Sequence, residues 1–199
     1  MTGQICLLPF YLFTEQTVYG NILINVAKTS LMVGGGRENI IENNIVVNSQ
    51  QAALLYDDRN RDGYVNNGWA RHHVLPRSQG VMWLTLDEVP YTEGIWAEKY
   101  PLLAQLNTDP DADVNDPDHP INPSYSTVKN NVLISPGGAM FSVANSVFTF
   151  SDIQDFAQYA TAEKAGWNPE TFTLSPESPV YTKLPEFQVI PVEKIGRVK

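Results

Sequence analysis

Short apolar runs recur along this chain between polar breaks that carry asparagine. Each run holds three aliphatic residues, mostly β-branched, bounded by Asn, Gly or Ser; this is typical of strands and too short for helices. The runs fall in three segments that can be aligned, 18–25, 41–48 and 128–135, and a second short apolar run follows each of them. Asn21 and Asn44 lie 23 residues apart, a period that indicates stacked structural repeats.

The repeat predicts parallel strands that stack from one coil to the next. A coil brings equivalent strands side by side without the crossover helices that parallel sheets otherwise need. Asn21 aligns with Asn44 and Asn131, and Asn25 and Asn48 align with Ser135. Asn tolerates tight bends, and its amide can both donate and accept along a stack. We therefore predict an asparagine ladder at the coil corners and assign these residues to the scaffold.

A long insertion interrupts the repeat. Asn44 and Asn131 are 87 residues apart, which is 64 more than one coil of 23. The excess leaves the coils after Tyr56 and returns near Tyr125, and it contains three of the four tryptophans and all three histidines. A helix is predicted over 96–106, with Leu103 and Leu106 buried against the coils. Because insertions in repeat proteins often form the binding face, function is expected here.

The two ends of the chain are predicted to form different structures. The apolar run 5–13 suggests a strand or cap packed on one end of the coils, since it is too short to span a bilayer and has no convincing signal-peptide pattern. Helical spacing predicts a helix over 151–165 with Ser151 or Asp152 as its N-cap. The Pro-rich remainder is expected to run along the outside of the coils and close their C-terminal end.

These segments together predict one domain. Its parts are an N-terminal strand or cap (1–16), two coils (17–56), the insertion (57–125), a further coil (126–150), and a helix with an extended tail (151–199).

The net charge limits the classes of partner that the chain can bind, and the cysteine content limits its crosslinks. Thirteen Lys and Arg against 22 Asp and Glu give a net charge of −9, which argues against nucleic acid and anionic membrane as partners. Cys6 is the one cysteine, so no disulfide can form within the chain.

The densest polar cluster follows the second coil, at Asp57, Asp58 and Arg59. Strand alternation directs Leu54 and Tyr56 to one face and Asp57 to the other. A carboxylate can act as acid or base, and a guanidinium can hold a sugar carboxylate. Asp57 is thus predicted as acid or base and Arg59 as a substrate ligand, with Asp58 or Glu98 as second carboxylate. The alternative is a solvated turn with surface ion pairs.

Further substrate contacts are expected from polar and aromatic residues near or within the insertion, where aromatic rings can stack on sugars. They are Tyr56, Arg61, Trp69, Arg71, His72 and Trp96. No metal site or cofactor is predicted, because the histidines lack ligand spacing. The acidic loop 109–118 lacks the EF-hand pattern, and Ca²⁺ stays an open alternative there.

Four motifs can be taken together. They are Gly34-Gly-Gly-Arg-Glu-Asn-Ile-Ile-Glu-Asn-Asn44, Asp57-Asp-Arg59, Trp96-Ala-Glu-Lys-Tyr-Pro101 and the stretch 178–196. They resemble the C-terminal part of bacterial right-handed parallel β-helix proteins of the pectate-lyase-like superfamily, over residues 19–196. Such proteins often read His-x-Asp-x-Arg, so Asp57 and Arg59 match, whereas Leu55 replaces the histidine. Family members are longer, with many coils before the matched part.

The resemblance implies an all-β, right-handed parallel β-helix of few coils, with an extracellular or periplasmic location for the parent family. It also implies a carbohydrate-active protein derived from a glycoside hydrolase or polysaccharide lyase, with a polysaccharide or oligosaccharide as partner. The alternative is a non-catalytic, truncated solenoid that binds sugar or associates with copies of itself. A homo-oligomer is expected because an incomplete stack leaves strand edges unpaired.

Overall fold

Short parallel strands form three sheets of four strands each. The computed structural model describes residues 5–7, 15–66, 68, 81–109, 111–135, 137, 141–154 and 156–195. Sheet 1 contains β1 (Ile5–Leu7), β4 (Leu31–Val33), β7 (Leu54–Tyr56) and β10 (Phe141–Val143). Sheet 2 contains β2 (Thr17–Tyr19), β5 (Ile40–Glu42), β8 (Thr127–Lys129) and β11 (Asp152–Ile153). Sheet 3 contains β3 (Ile22–Ile24), β6 (Ile45–Val47), β9 (Val132–Ile134) and β12 (Ala157–Tyr159).

The chain visits the sheets in a fixed order, sheet 2, then sheet 3, then sheet 1. We call β2–β4 coil 1, β5–β7 coil 2, β8–β10 coil 3, and β11 with β12 coil 4. The predicted register is confirmed, because Val18, Ile41 and Val128 pair in successive coils. This parallel stacking is consistent with a β-helix-like solenoid. The all-β class is wrong, since helix makes up 25% and strand 23%.

Helices connect and cover the coils. They are α1 (Arg59–Val65), α2 (Val81–Asp87), α3 (Gly94–Lys99), α4 (Pro101–Ala104), α5 (Asn145–Phe150), α6 (Ala162–Ala165) and α7 (Pro179–Lys183). The tail adds an antiparallel pair, β13 (Trp167–Asn168) and β14 (Thr173–Leu174), and a 3₁₀ turn, Val192–Lys194. Among the described residues, no helix is long and apolar enough to cross a membrane.

The helix predicted over 96–106 is divided into α3 and α4 at Pro101. Proline has no N–H to continue the first helix, and it suits the first turn of the next. Leu103 and Leu106 are buried as predicted. Their cluster, however, consists of insertion residues, including Trp83 and Ile121, so they form a small separate core and not a seam with the coils.

The helix predicted over 151–165 is wrong for most of its length, because β11 and β12 form a fourth coil and only Ala162–Ala165 is helical. The N–H of Asp152 donates to the carbonyl of Ser126 at 2.8 Å, and that of Gln154 donates to Val128 at 2.8 Å. Neither Ser151 nor Asp152 is the N-cap of a helix: Ser151 is the C-cap of α5, and Asp152 begins β11. The open edge of coil 3 offers main-chain partners, and these outweigh a weak helical spacing.

In the apolar run 5–13, residues 5–7 form a strand, as predicted, because β1 pairs in parallel with β4 at the end of sheet 1. Residues 8–13 of this run lie outside the described residues. The C-terminal tail runs outside the coils, also as predicted. Its side chains Val180, Leu184, Phe187 and Ile190 are buried against sheet 3. The tail therefore covers a sheet face, and within the described part of the chain none of its strands pairs with β12.

A ladder of asparagine side chains joins the coils at one corner. The main-chain N–H and Nδ2 of Asn21 donate to Oδ1 of Asn44 at 3.0 and 2.9 Å. Those of Asn44 donate in turn to Oδ1 of Asn131 at 3.2 and 2.9 Å. Asn44 is fully buried, and its Nδ2 also reaches the carbonyl of Val18 at 2.9 Å. The predicted ladder is confirmed.

The sharp bends at the coil corners lie in residues with left-handed backbone angles, and one set of these residues directly precedes the ladder asparagines. The φ values are 68°, 60° and 53° at Gly20, Asn43 and Asn130, and 57°, 57° and 50° at Asn25, Asn48 and Ser135. A third set, Glu15, Glu38 and Tyr125, has φ of 62°, 55° and 61°. Each set occupies one corner in three successive coils. Asn and Gly meet this requirement cheaply, whereas Tyr125 adopts it at a cost in strain.

We expect Asn44→Ala to lower the free energy of unfolding by about 2–4 kcal/mol, because at least two buried groups lose their partners at about 1–3 kcal/mol each. Asn48→Gly is the matched control: it removes an exposed ladder bond, from Nδ2 of Asn48 to Asn25, and keeps the left-handed backbone. Its loss should stay below about 1.5 kcal/mol. Urea denaturation measures both, and equal losses would contradict a structural role for the buried rung.

Candidate functional site

The acidic cluster after β7 lies at the start of α1. Arg59 pairs with Asp57, Nη2 to Oδ2 at 2.9 Å, and their side chains are 46% and 27% exposed. The other carboxylate oxygen of Asp57 accepts the main-chain N–H of Arg59 at 3.2 Å. Asp58 accepts a hydrogen bond from the hydroxyl of Ser146 in α5. All three residues are therefore together at one surface, but each carboxylate already has a local partner.

Two predicted substrate ligands serve the scaffold instead. Tyr56 is fully buried, and its hydroxyl donates to Ser126 Oγ at 2.7 Å and accepts from Asn39 at 3.1 Å. A side chain enclosed in this way cannot reach a sugar, so its assignment to substrate binding is wrong. Burial raises the pKa of Tyr56, although its hydrogen bonds with Ser126 and Asn39 oppose the rise.

Arg61 is likewise occupied. Its Nη1 donates to the carbonyl of Val114 and to Oδ1 of Asn122, the latter at 2.7 Å, and its Nη2 donates to Oδ1 of Asn115 at 2.9 Å. The guanidinium also lies over the ring of Phe150, 5.4 Å from its centroid. Arg61 thus fixes the acidic loop to α1 and α5. Its donors are therefore not available to a substrate, contrary to the prediction.

The insertion presents exposed Trp96 on α3, and half-buried Tyr100 follows the end of that helix. The ring of Trp96 stacks on that of Tyr100, with centroids 5.7 Å apart and an interplanar angle of 30°. Trp96 is 37% exposed, whereas Trp83 is buried in the insertion core. Glu98 is exposed on the same helix, and no described contact joins it to Asp57 or Asp58. Trp69, Arg71 and His72 lie outside the described residues.

An ion pair between a buried arginine and a partly exposed aspartate, which the sequence did not reveal, fastens the insertion to a coil corner. Arg37 is 1% exposed; its Nη2 contacts Asp118 Oδ1 at 3.1 Å, and its Nη1 donates to the carbonyl of Pro117 at 3.2 Å. Tyr125 donates to the same carboxylate oxygen at 2.9 Å, and its ring lies under the guanidinium. The nearest sequence signal was Arg37 itself, a charged residue inside a repeat segment between Gly36 and β5.

Glu38 and His119 are two titratable groups near this ion pair whose pKa values are shifted by burial. Burial raises the pKa of Glu38, Glu15 raises it further, and Arg37 opposes both. Burial lowers the pKa of His119, opposed by Asp116. Nδ1 of His119 accepts the N–H of Ile121 at 3.3 Å, and its ring meets Tyr64 edge-on. A protonated His119 would be a poor fit for this position.

The described surface offers no metal centre, because no group of three or more His, Cys, Asp or Glu could hold an ion there. In the acidic loop, the carboxylates of Asp109, Asp113 and Asp116 each accept the N–H of the residue two places on. A polar groove of about 560 Å³ lies elsewhere, between the tail and the corners of coils 3 and 4, and is lined by Asn130, Gln154, Lys183 and Glu186 among others.

Comparisons with protein-family models, with curated proteins and with solved structures found no match to this chain.

We expect the stability of this protein to fall as the pH drops below about 6.5, the usual pKa of histidine. The folded state holds the pKa of His119 lower, so the unfolded chain binds the extra proton first and is favoured in that window. His119→Asn should lower stability at pH 7.5 but flatten the decline between pH 6.5 and the folded pKa. Urea unfolding at a series of pH values measures this. Equal slopes for the two proteins would contradict it.

Proposed function

We propose that this chain is a carbohydrate-binding solenoid of the right-handed parallel β-helix kind that the pectate-lyase-like superfamily contains. The observation that carries the proposal is the exposed ring of Trp96 on the insertion, which stacks on the half-buried ring of Tyr100. Stacked aromatic faces suit the apolar face of a sugar ring while its hydroxyls remain in water. The parallel stack supports the fold assignment, and the net charge of −9 favours a neutral or weakly charged glycan over a polyanion.

Several features favour binding over cleavage. General acid and base catalysis needs two groups that can exchange protons with substrate. Asp57 is paired with Arg59, and Asp58 accepts from Ser146. The histidine position of the family motif holds Leu55. The cluster at the start of α1 is therefore better suited to holding substrate hydroxyls or to fixing α1 than to proton transfer.

Trp96→Ala should weaken binding to a polysaccharide about tenfold, equivalent to about 1.4 kcal/mol. Trp96→Phe keeps a ring and should lose less. Phe172→Ala is the matched control, since Phe172 is an exposed aromatic residue on the tail, 46% exposed. A panel of plant, algal and bacterial polysaccharides in affinity electrophoresis supplies the ligand, and calorimetry the constants. Failure of every polysaccharide to bind, or unchanged binding by Trp96→Ala, would reject the proposal.

Cleavage is the second candidate, and what favours it is that the side chains of Asp57 and Arg59 are partly exposed and so within reach of a substrate. If the chain releases reducing ends or unsaturated products, Asp57→Asn should lower the rate by about 10²–10⁴, the usual contribution of a general acid or base. Glu88→Gln, an exposed carboxylate on the insertion, is the control. Undiminished release by Asp57→Asn would remove Asp57 from the site. Binding of a polysaccharide without release of any cleavage product would reject cleavage and support the sugar-binding function.

A further inference from the structure

Within the described part of the chain, the two ends of the coil stack differ by one step. At one end, β1 extends sheet 1 beyond β4, whereas β2 and β3 are the last strands of sheets 2 and 3. At the other end, β11 and β12 extend sheets 2 and 3, whereas sheet 1 stops at β10. Coil 4 therefore has strands in sheets 2 and 3 but none in sheet 1. At the opposite end, β1 is a strand of sheet 1 that has no accompanying strands in sheets 2 and 3.

We propose that a second copy of this chain docks on the first head to tail, so that coil 4 of one copy and β1 of the next form one complete coil. In this arrangement β11 and β12 of the first copy pair with β2 and β3 of the second, and β10 pairs with β1. The sheet order across the junction, sheet 3 followed by sheet 1, is the order that the chain follows in every coil. Each open strand edge gains a partner.

Main-chain groups at both ends point toward this junction. In a parallel sheet, alternate residues direct their N–H and C=O groups to opposite neighbours. Ile40 N–H donates to Gln16, and Gly20 N–H donates to Glu42, so Thr17 and Tyr19 face the open side of β2. Ala157 N–H donates to Asn131, and Tyr159 accepts from Ser135, so Gln158 faces the open side of β12.

The asparagine ladder ends in an acceptor that suits such a neighbour. Oδ1 of Asn44 and Oδ1 of Asn131 each accept from the residue one coil earlier. Among the described residues, no donor reaches Oδ1 of Asn21. In coil 4 the ladder position is occupied by Phe156, because the next residue, Ala157, pairs with Val132, which follows Asn131. Its main-chain N–H is therefore the donor that a second copy would bring to Asn21.

Apolar surface accompanies these polar groups. A groove of about 470 Å³ lies beside β3 and is lined by Ile22, Ile24, Phe172, Val192 and Ile195. The residues equivalent to Ile24 in coils 2 and 3, Val47 and Ile134, are buried under the tail. By the same register Tyr159 of coil 4, which is half-buried, would stack on Ile24 of the next copy. Docking thus repeats the packing found between coils.

The contact is heterologous, because each copy uses a different surface. A head-to-tail contact of this kind leaves one free end of each type and extends into an open chain of copies. A symmetric dimer through β2 and β3 would instead stop at two. The inference does not depend on carbohydrate binding.

Two proline variants test the proposal. Thr17→Pro removes an outward N–H from β2, and Gln158→Pro removes one from β12. Both side chains are exposed, and among the described residues neither N–H has a main-chain acceptor. Thr17→Val and Gln158→Val keep the N–H and serve as controls. Sedimentation velocity of the 199-residue chain is run from about 1 μM to about 1 mM, the range for contacts of about −8 to −4 kcal/mol.

The unmodified chain and the valine variants should increase in mass with concentration beyond the dimer. Each proline variant alone should remain a monomer, and an equimolar mixture of the two should form a dimer and stop there, because each supplies the end that the other lacks. Circular dichroism establishes that both fold. A monomeric unmodified chain would overturn the proposal. Dimerisation of Gln158→Pro alone would overturn it in favour of a symmetric contact through β2 and β3.

Discussion

The hydrogen bonds between coils are the interaction on which the rest of this structure depends. Most strands are only three residues long, too short to persist without neighbours on a sheet. The buried ladder through Asn44 fixes which residue faces which from coil to coil. It does so where an error would be costly, because a slip of one residue would turn the apolar side chains outward and leave amides buried without partners.

This register also explains how the chain tolerates its insertion. The ladder partners Asn44 and Asn131 are separated by 87 residues, against 23 for Asn21 and Asn44. Closing the longer loop costs only about 1.2 kcal/mol more, since each doubling of length adds about 0.6 kcal/mol. Arg37 and Arg61 then hold the far part of the insertion to the coil corner and to α1. The insertion is thereby a packed unit with its own core around Trp83.

The sequence revealed the contacts that repeat with a fixed spacing and missed the contacts that occur once. The ladder and the parallel register followed from a spacing that Asn21, Asn44 and Asn131 share. Coil 4 was missed because Phe156 replaces the asparagine, and pairing with coil 3 overrides local helical spacing. Alternation had already placed Tyr56 on the core face with Leu54, so its assignment to substrate binding conflicted with the pattern itself. The Arg37 and Asp118 pair joins residues 81 positions apart, which no local pattern can reveal.

The distribution of carboxyl groups bears on what such a scaffold can do. Acid and base catalysis by two carboxyl groups needs environments that separate their pKa values at a surface that substrate can reach. Glu38 is the described carboxyl group whose pKa is raised, yet its side chain is buried at the corner where Arg37 holds the insertion. The accessible carboxylates, Asp57 and Asp58, hold local hydrogen bonds that support the turn into α1. The carboxyl group with the raised pKa therefore lies at this buried corner and not in the cluster at the start of α1. Under the proposed function, exposed Trp96 on the anchored insertion would hold the sugar.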